Sequence, residues 1–374
     1  MVRLGYKETD AGVIPEEWDV KNVASFCKIT TGDKNTQDRI KDGRYPFFVR
    51  SKDVESINSY SFDGEAVLTA GDGVGTGKIF HYIDGKFDYH QRVYNMHSFN
   101  EEVDAFYFYK FFSENFYDRI MQMTAKSSVD SVRREMIADM KVVLPPLLEQ
   151  KAIAKALSDV DELIAGLEAL IAKKRDLKTA TMQQVLTGKT RLPGFSGSWV
   201  TRKLEEISTI KTGSKNNQDK MEDGEFPFFV RSENIEAINT YSYDCEAILV
   251  PGEGRIGEIF HYIKGKFDVH QRVYVINNFS DDVCAAFVHA YMTKFFGAHA
   301  MENSVKATVD SLRLPTFQKF EVSLPPTFEE QEAIAGILDE QNREILTLKE
   351  RLAKSQAIKK GMMQGLLTGR TRLI

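Results

Sequence analysis

The string IFHYIDGKFDYHQRVY at residues 79–94 returns as IFHYIKGKFDVHQRVY at residues 259–274, altered only where Asp84 meets Lys264 and Tyr89 meets Val269. The repetition runs along the whole chain. Trp18 answers to Trp199, YPFFVRS at 45–51 to FPFFVRS at 226–232, and LTGKTRL at 186–192 to LTGRTRL at 367–373. Self-similarity of this kind is settled before any other feature, because it dictates how many folding units the chain makes. Each copy is far longer than the ~20 to 50 residues of a solenoid repeat, so each is able to bury a core of its own. At ~100 to 200 residues per domain, the 374 residues are expected to form two similar globular domains.

Each copy divides again at a double proline, LPP at 144–146 and at 324–326. Ahead of it, short apolar runs such as PFFVR, EAVLT, KIFHYI and RVYNM are punctuated by glycine and read as strands. A helix is expected to interrupt them at 102–116, with its counterpart at 281–296, which makes each domain α+β. Beyond the prolines, EQKAIAKALSDVDELIAGLEALIAKKRDLKTATMQQV has no proline and a single glycine, and reads as one long helix. Its apolar residues Ile153, Leu157, Val160, Ile164, Leu167 and Ile171 step by four and three in alternation, the spacing of a coiled-coil seam. Ile334, Leu338, Gln341, Ile345, Leu348 and Leu352 repeat that register in the second copy.

An amphipathic helix lying on its own domain gives the same pattern, but about 40 residues at 1.5 Å each reach roughly 60 Å, more than one such domain can cover. The two long helices are therefore expected to pack on each other, antiparallel, with Val160 facing a region that includes Gln341 and so helping to fix the register. A direct repeat in sequence then becomes a pseudo-two-fold object with two like heads on a helical spacer. The boundaries expected are 1–147 for the first head, 148–187 for the first spacer helix, 188–198 for a linker, 199–327 for the second head and 328–374 for the second spacer helix and tail.

Composition enters by what it removes. Hydrophobic residues make up 42% and aromatics 11%, as in a folded globular chain, yet no apolar run approaches the ~20 residues needed to span a bilayer. No basic stretch followed by an apolar core marks a secretory signal. A cytoplasmic protein without a membrane partner is expected. Cys27, Cys245 and Cys284 face Ser208, Gly64 and Asp104 in the other copy, so neither a disulfide nor a thiolate metal site would survive in both. The net charge of −5 weighs against a nucleic-acid binder acting alone, which usually has a basic balance.

Catalytic motifs fare poorly. GDGVGTGKIF at 71–80 resembles a phosphate-binding loop, but Asp72 occupies the place of the first glycine of G-x-x-x-x-G-K-[ST] and Ile79 that of the hydroxyl. The second copy puts Glu258 where the lysine belongs. His81 and His90, with His261 and His270, could serve as metal ligands or bases, but their spacing matches no ligand motif, and no nucleophile elbow occurs. No catalytic and no metal-binding residue is expected. Better supported are polar and basic residues at loop edges in both copies: Lys34, Asn35 and Gln37 with Lys215, Asn216 and Gln218; Arg50 and Ser51 with Arg231 and Ser232; His90, Gln91 and Arg92 with His270, Gln271 and Arg272; and Lys126 with Lys306. Asparagine and glutamine match adenine bidentately, while arginine and lysine match guanine or grip phosphate. A solvated loop gives the same residues one by one; their pairing favours a DNA-binding surface.

The opening YKETDAGVIPEEW, the segment GRYPFFVRS, LPPLLEQKAIAKAL with its second copy LPPTFEEQEAIAGIL, and the joint LTGKTRLPGF resemble, in this order, the specificity subunit of type I restriction-modification enzymes. The resemblance covers essentially the whole chain. It implies two target recognition domains, each reading half of a bipartite site on double-stranded DNA, and a helical spacer that docks two modification subunits. Those partners would bring S-adenosylmethionine and methylate adenine, and restriction subunits would bring ATP- and Mg-dependent cleavage; this chain would hold no cofactor. Because the candidate contact residues are paired, the site is expected to be near-palindromic. Two other readings stay open at this point: a stand-alone nuclease or methyltransferase using the duplicated histidines, and a scaffold that binds only proteins.

Overall fold

The computed structural model describes residues 4–123, 131–302 and 311–373. The chain forms two compact units, one from residues 1–168 with 350–374 and one from 169–349.

In the first unit, the antiparallel hairpin of β1 (Tyr6–Thr9) and β2 (Gly12–Pro15) is followed by β3 (Asp19–Asn22), β4 (Lys28–Thr31), β5 (Tyr45–Phe48), β6 (Glu55–Ile57), β7 (Phe62–Ala70), β8 (Phe80–Tyr89) and β9 (Val93–His97). Then come α1 (Ala105–Met123), the short α2 (Arg134–Ala138), β10 (Lys141–Leu144) and α3 (Leu147–Val185), which continues into the other unit beyond residue 168. Six strands form one sheet in the order β4-β9-β7-β8-β5-β6. Every pairing in it is antiparallel except β5 with β8, where Phe47 lies beside Asp88 and Phe48 beside Tyr89.

The second unit repeats the plan with β11 (Val200–Lys203), α4 (Leu204–Ile207), β12 (Thr209–Thr212), β13 (Phe226–Phe229), β14 (Ile235–Ile238), β15 (Tyr243–Pro251), β16 (His261–Val269) and β17 (Val273–Asn277), then α5 (Ala285–Glu302), α6 (Leu314–Gln318), β18 (Glu321–Leu324) and α7 (Phe328–Leu366). Its sheet order, β12-β17-β15-β16-β13-β14, matches strand for strand.

Both faces of the sheet are covered, which is why the runs EAVLT and EAILV lose their polar alternation. Side chains alternate across a strand: Val67 points into the aromatic cluster of Trp18, Phe108, Phe112 and Phe116, and its neighbours Ala66 and Leu68 point the other way, onto Phe48, Phe87 and Val93. Ile248 and Val250 against Ala247 and Leu249 repeat the division in the second unit. Helix α1 begins three residues later than its sequence suggests, at Ala105, because the Asp104 carboxylate accepts the Tyr107 N–H at 2.8 Å as an N-terminal cap. It runs on to Met123 because Phe116 and Ile120 prolong its buried stripe. Its counterpart α5 is shifted likewise relative to 281–296.

Within each unit, a segment of α3 and a segment of α7 run antiparallel. In the first, Ile153 and Leu157 share a core with Leu366 and Leu367, and further along α3 the Asp161 carboxylate meets Lys359 from α7 and Lys110 from α1, each at 2.6 Å. Burial pushes the Asp161 carboxyl up, but the two ammonium groups outweigh it and hold the group below the usual range. In the second unit, Lys174 meets Glu344 at 2.6 Å, and Met182, Val185 and Leu186 pack with Ile334 and Leu338. Gln341 does not face Val160. Its amide donates to the Thr181 hydroxyl at 3.2 Å, because this antiparallel register brings the end of α3, not its middle, opposite the start of α7.

Past each helix the repeated LTG(K/R)TRL segment folds back. Gly369, in the left-handed region at φ +72, closes α7 so tightly that a Cβ would sit 2.3 Å from the Pro15 ring. The Arg372 guanidinium then forks onto the buried Glu149 carboxylate, Nε to Oε1 and Nη2 to Oε2, both at 2.7 Å, while the Trp18 indole donates to Oε2 at 3.0 Å. Arg191 forks onto Glu330 in the same way at 2.6 and 2.7 Å, within the second unit.

Candidate nucleic-acid interface

The sheet order places the ends of non-consecutive strands side by side. In the first unit, four segments meet there: the loop after β4 carrying Lys34, Asn35 and Gln37, the end of β5 with Arg50 and Ser51, the β7–β8 loop, and the β8–β9 turn with His90, Gln91 and Arg92. Gly32 is required at the first of them, because a Cβ there would lie 1.9 Å from the Tyr89 carbonyl oxygen; Gly213 is pressed onto Val269 in the second unit at 2.1 Å. That close approach lets the Gln91 N–H donate to the Lys34 carbonyl at 2.9 Å, and the Gln91 side-chain amide donate to Asn35 Oδ1 at 2.6 Å. Asn35 is fixed in turn by its N–H to the Asp38 carboxylate at 2.6 Å. The second unit reproduces the set: Gln271 to the Lys215 carbonyl at 2.8 Å, Gln271 to Asn216 at 2.6 Å and Asn216 to Asp219 at 2.7 Å.

One hydrogen of the Gln91 amide is spent on Asn35, which orients the group. Gln91 is an exposed residue, and a glutamine amide carries a second N–H and a carbonyl oxygen, the donor–acceptor pair that matches the N7 and N6 edge of adenine. Gln37 and Gln218 are exposed, while Ser51 and Ser232 bend their hydroxyls back onto the carbonyls of Asp53 and Asn234.

His90 and His270, expected among the contacting residues, are 4% and 5% exposed. Each accepts the N–H of the arginine two residues on, Arg92 at 2.9 Å and Arg272 at 3.0 Å, through Nδ1. Burial pushes both imidazoles below their ordinary pKa, and the nearby Arg50 and Arg231 charges add to it. They are uncharged groups that shape the turn from beneath. His81 and His261 lie with Nε2 3.1 Å from the Ser51 and Ser232 carbonyls and are lowered by burial as well. Lys126 and Lys306 lie outside the described residues.

Two features were not singled out from the sequence as part of this surface. Asp88 and Asp268 are fully buried under the turn: Asp88 accepts the Ser59 and Ser61 hydroxyls at 2.7 and 2.8 Å, and Asp268 the Thr240 hydroxyl at 2.9 Å. Asp72, dismissed as a flaw in a phosphate-loop motif, accepts Arg50 Nη1 at 2.8 Å and lies 3.6 Å from Arg92 Nε. Glu253 stands likewise 3.1 Å from Arg231 and 3.4 Å from Arg272. The signal was an acid between two glycines in both copies.

Beside Arg50 lies a concavity of about 690 Å³ and beside Arg231 one of about 340 Å³. Lys52 and Lys78 border the first, whereas Lys220, Glu236 and Glu253 border the second. The sequence equivalents of Lys52 and Lys78 are Glu233 and Glu258, both paired with Arg255, at 2.9 and 2.8 Å. Among the described residues, no group of three or more histidine, cysteine or carboxylate side chains is placed to hold a metal ion, and no helix is long and apolar enough to cross a membrane.

The chain matches the model of the type I restriction modification DNA specificity domain twice, over residues 15–173 and 197–359. It is 31% identical over 163 residues to the EcoDI specificity subunit of Escherichia coli, a match covering 44% of this chain and 35% of that protein. To the MjaVIII specificity subunit of Methanocaldococcus jannaschii it is 27% identical over 229 residues, 56% of this chain and 53% of the relative. The chain thus spans about a third to a half of the length of these curated relatives. The crystal structure of the type I restriction-modification S subunit from M. genitalium has the same fold, with a TM-score of 0.73 at 16% identity over 96% of this chain and 97% of that one.

Proposed function

The chain belongs to the type I restriction modification DNA specificity family, whose domain it carries twice, and from that membership we propose that it is the non-catalytic DNA-reading subunit of a type I restriction-modification complex. Each unit takes one half of a bipartite site on double-stranded DNA. The observation that carries this reading is the duplicated loop cluster: glutamine, arginine and lysine from four separate segments converge at one end of each sheet, with the same hydrogen bonds in both. A nuclease or methyltransferase built on the histidines is disfavoured, because His81, His90, His261 and His270 are each occupied with main-chain groups.

The partners are two modification subunits docked on the long helices, which bring S-adenosylmethionine and methylate adenine, and restriction subunits that use ATP and Mg²⁺. The charge of −5 suits such an assembly, in which partner subunits share the phosphate contacts, and the cytoplasm is where its DNA would be met. The test is to reconstitute the complex and map methylated adenines in DNA exposed to it. A single bipartite motif supports the reading; methylation or cleavage by the isolated chain overturns it.

Two outcomes follow from the paired loops. Gln91→Ala with Arg92→Ala should relax recognition of one half-site and spare the other, each lost bidentate contact costing about 1 to 3 kcal/mol of discrimination. Lower affinity with unchanged sequence preference would make these residues phosphate contacts. The methylation map itself should show a near-palindrome, since Lys34, Arg50, Gln91 and Arg92 all have identical partners in the second unit. Departures should trace to the loops in which Lys52 and Lys78 are replaced by Glu233 and Glu258 in the second copy, and replacing residues 74–78 by RIGE should draw the first half-site toward the second. Two unrelated half-sites would remove the paired residues from the role of base readers.

A further inference from the structure

A carboxylate on a surface that meets DNA is unfavourable by charge alone, yet both units hold one at the centre of the loop cluster. Asp72 bridges Arg50 and Arg92, which come from the ends of different strands, and Glu253 bridges Arg231 and Arg272. The carboxylates are 25% and 28% exposed, whereas the four arginines are 42% to 66% exposed. The acid therefore sits behind the guanidinium groups and faces outward less than they do.

Its backbone is pinned from two sides. The Gly71 N–H donates to the Arg92 carbonyl and the Gly71 carbonyl accepts the Val132 N–H, both at 2.7 Å; Gly252 does the same with Arg272 and Leu312 at 2.8 and 2.7 Å. One carboxylate is a methylene longer than the other, but each reaches both of its arginines. An ion pair this exposed contributes little to folding, so stability alone gives no strong reason for it.

Orientation gives one. A free arginine on such a surface settles on any phosphate, whichever sequence is bound. A guanidinium has five donors in a rigid fork, and one tethered to a carboxylate through a single nitrogen, as Arg50 and Arg231 are through Nη1, keeps its other donors free and its direction restricted, as bidentate contact with guanine O6 and N7 requires. Building on the reading of the chain as a DNA-recognition subunit, we propose that Asp72 and Glu253 are specificity-determining positioning residues, each holding an arginine pair toward base edges and away from phosphate. The acid lowers attraction to DNA in general and raises discrimination among sequences.

This predicts opposite changes in two quantities that a simple structural role would move together. In the full complex with its modification subunits, Asp72→Asn should leave the melting temperature unchanged and tighten or preserve binding to random-sequence duplex. The ratio of cognate to random affinity should fall roughly tenfold, with the loss confined to one half-site of the methylation motif. The salt dependence should steepen, because each arginine moved onto phosphate adds about 0.9 to the logarithmic slope. Asp72→Glu should restore the ratio, as Glu253 already occupies the equivalent place, and Glu253→Gln should affect the other half-site. A wild-type complex that does not prefer its motif over random duplex overturns the functional reading and this inference together. A wild-type complex that does prefer it, beside an Asp72→Asn complex with the same ratio, or one weakened equally toward both duplexes, overturns the positioning role alone.

Discussion

Glu149→Ala is expected to destabilise the first unit by about 2 to 3 kcal/mol, because hydrogen bonds to a charged group are lost and a buried indole N–H is left unsatisfied. The substitution leaves the Arg372 guanidinium only its contact with Glu17, at 2.7 Å, and the Trp18 indole N–H and the Leu373 N–H without their acceptor. Denaturant unfolding should resolve a weakened transition for one unit, and DNA recognition should fail at one half-site. Glu330→Ala should weaken the second unit less, because the Trp199 indole N–H is already buried without a partner and has no such bond to lose. The pH dependence has a definite sign. Burial pushes the Glu149 carboxyl up, but hydrogen bonds from Arg372, Trp18 and Leu373 and the arginine charge outweigh it, so its folded pKa lies below the ordinary 4.5. A group depressed in the folded state contributes stability that is fully present above 4.5 and is lost as pH falls through the folded value. Glu149→Gln should remove that part of the acid sensitivity. A loss under 1 kcal/mol in the alanine variant would mean that water replaces the carboxylate.

The second large effect concerns the spacer. Seven residues inserted into α3 near residue 169, with seven into α7 near residue 349, keep both seams in register, since seven is the seam's own period. Each helix lengthens by about 10.5 Å, close to three base-pair steps of ~3.4 Å. The reconstituted complex should abandon its original motif and methylate, if it recognises any site, one with a centre about three base pairs longer. Seven residues in α3 alone should instead disrupt the pairing of Lys174 with Glu344 and of Thr181 with Gln341 and lower stability. An assembled double-insertion complex with an unchanged motif would show that the helices do not set the spacing.

How much of this could be read from the sequence depended on the range of the interaction involved. Helices announced themselves through steps of three and four, strands as short apolar runs punctuated by glycine, and the doubling through identical strings. The helix boundary at Ala105 was missed because it is set by one capping side chain, Asp104, while the run of apolar residues around it gives no sharp start. The contact residues were found by type, at strand ends, but what joins Arg50, Asp72 and Arg92 is a sheet order in which neighbours in space are not neighbours in sequence. For the same reason Asp72 was read against a local motif that it fails, and His90 was placed on the surface when its burial depends on strands from elsewhere. The LTGKTRL string served as evidence of a joint; that its arginine anchors onto a buried carboxylate depends on a residue far away in the chain.

That distance has a kinetic meaning. The residues of the second unit are contiguous, 169–349, but the first unit also needs 350–374. Arg372 follows its partner Glu149 by 223 residues, and Leu366 and Leu367 belong to the core around Trp18. On a ribosome adding ~5 to 20 residues per second, the head that emerges first therefore waits on the order of 10 to 45 seconds with an unanswered carboxylate and an uncovered apolar patch, while the head made after it can already close. The first domain to be synthesised is the last to be finished, and that interval is when a chaperone, or another nascent copy offering the same LTGRTRL segment, has its opportunity.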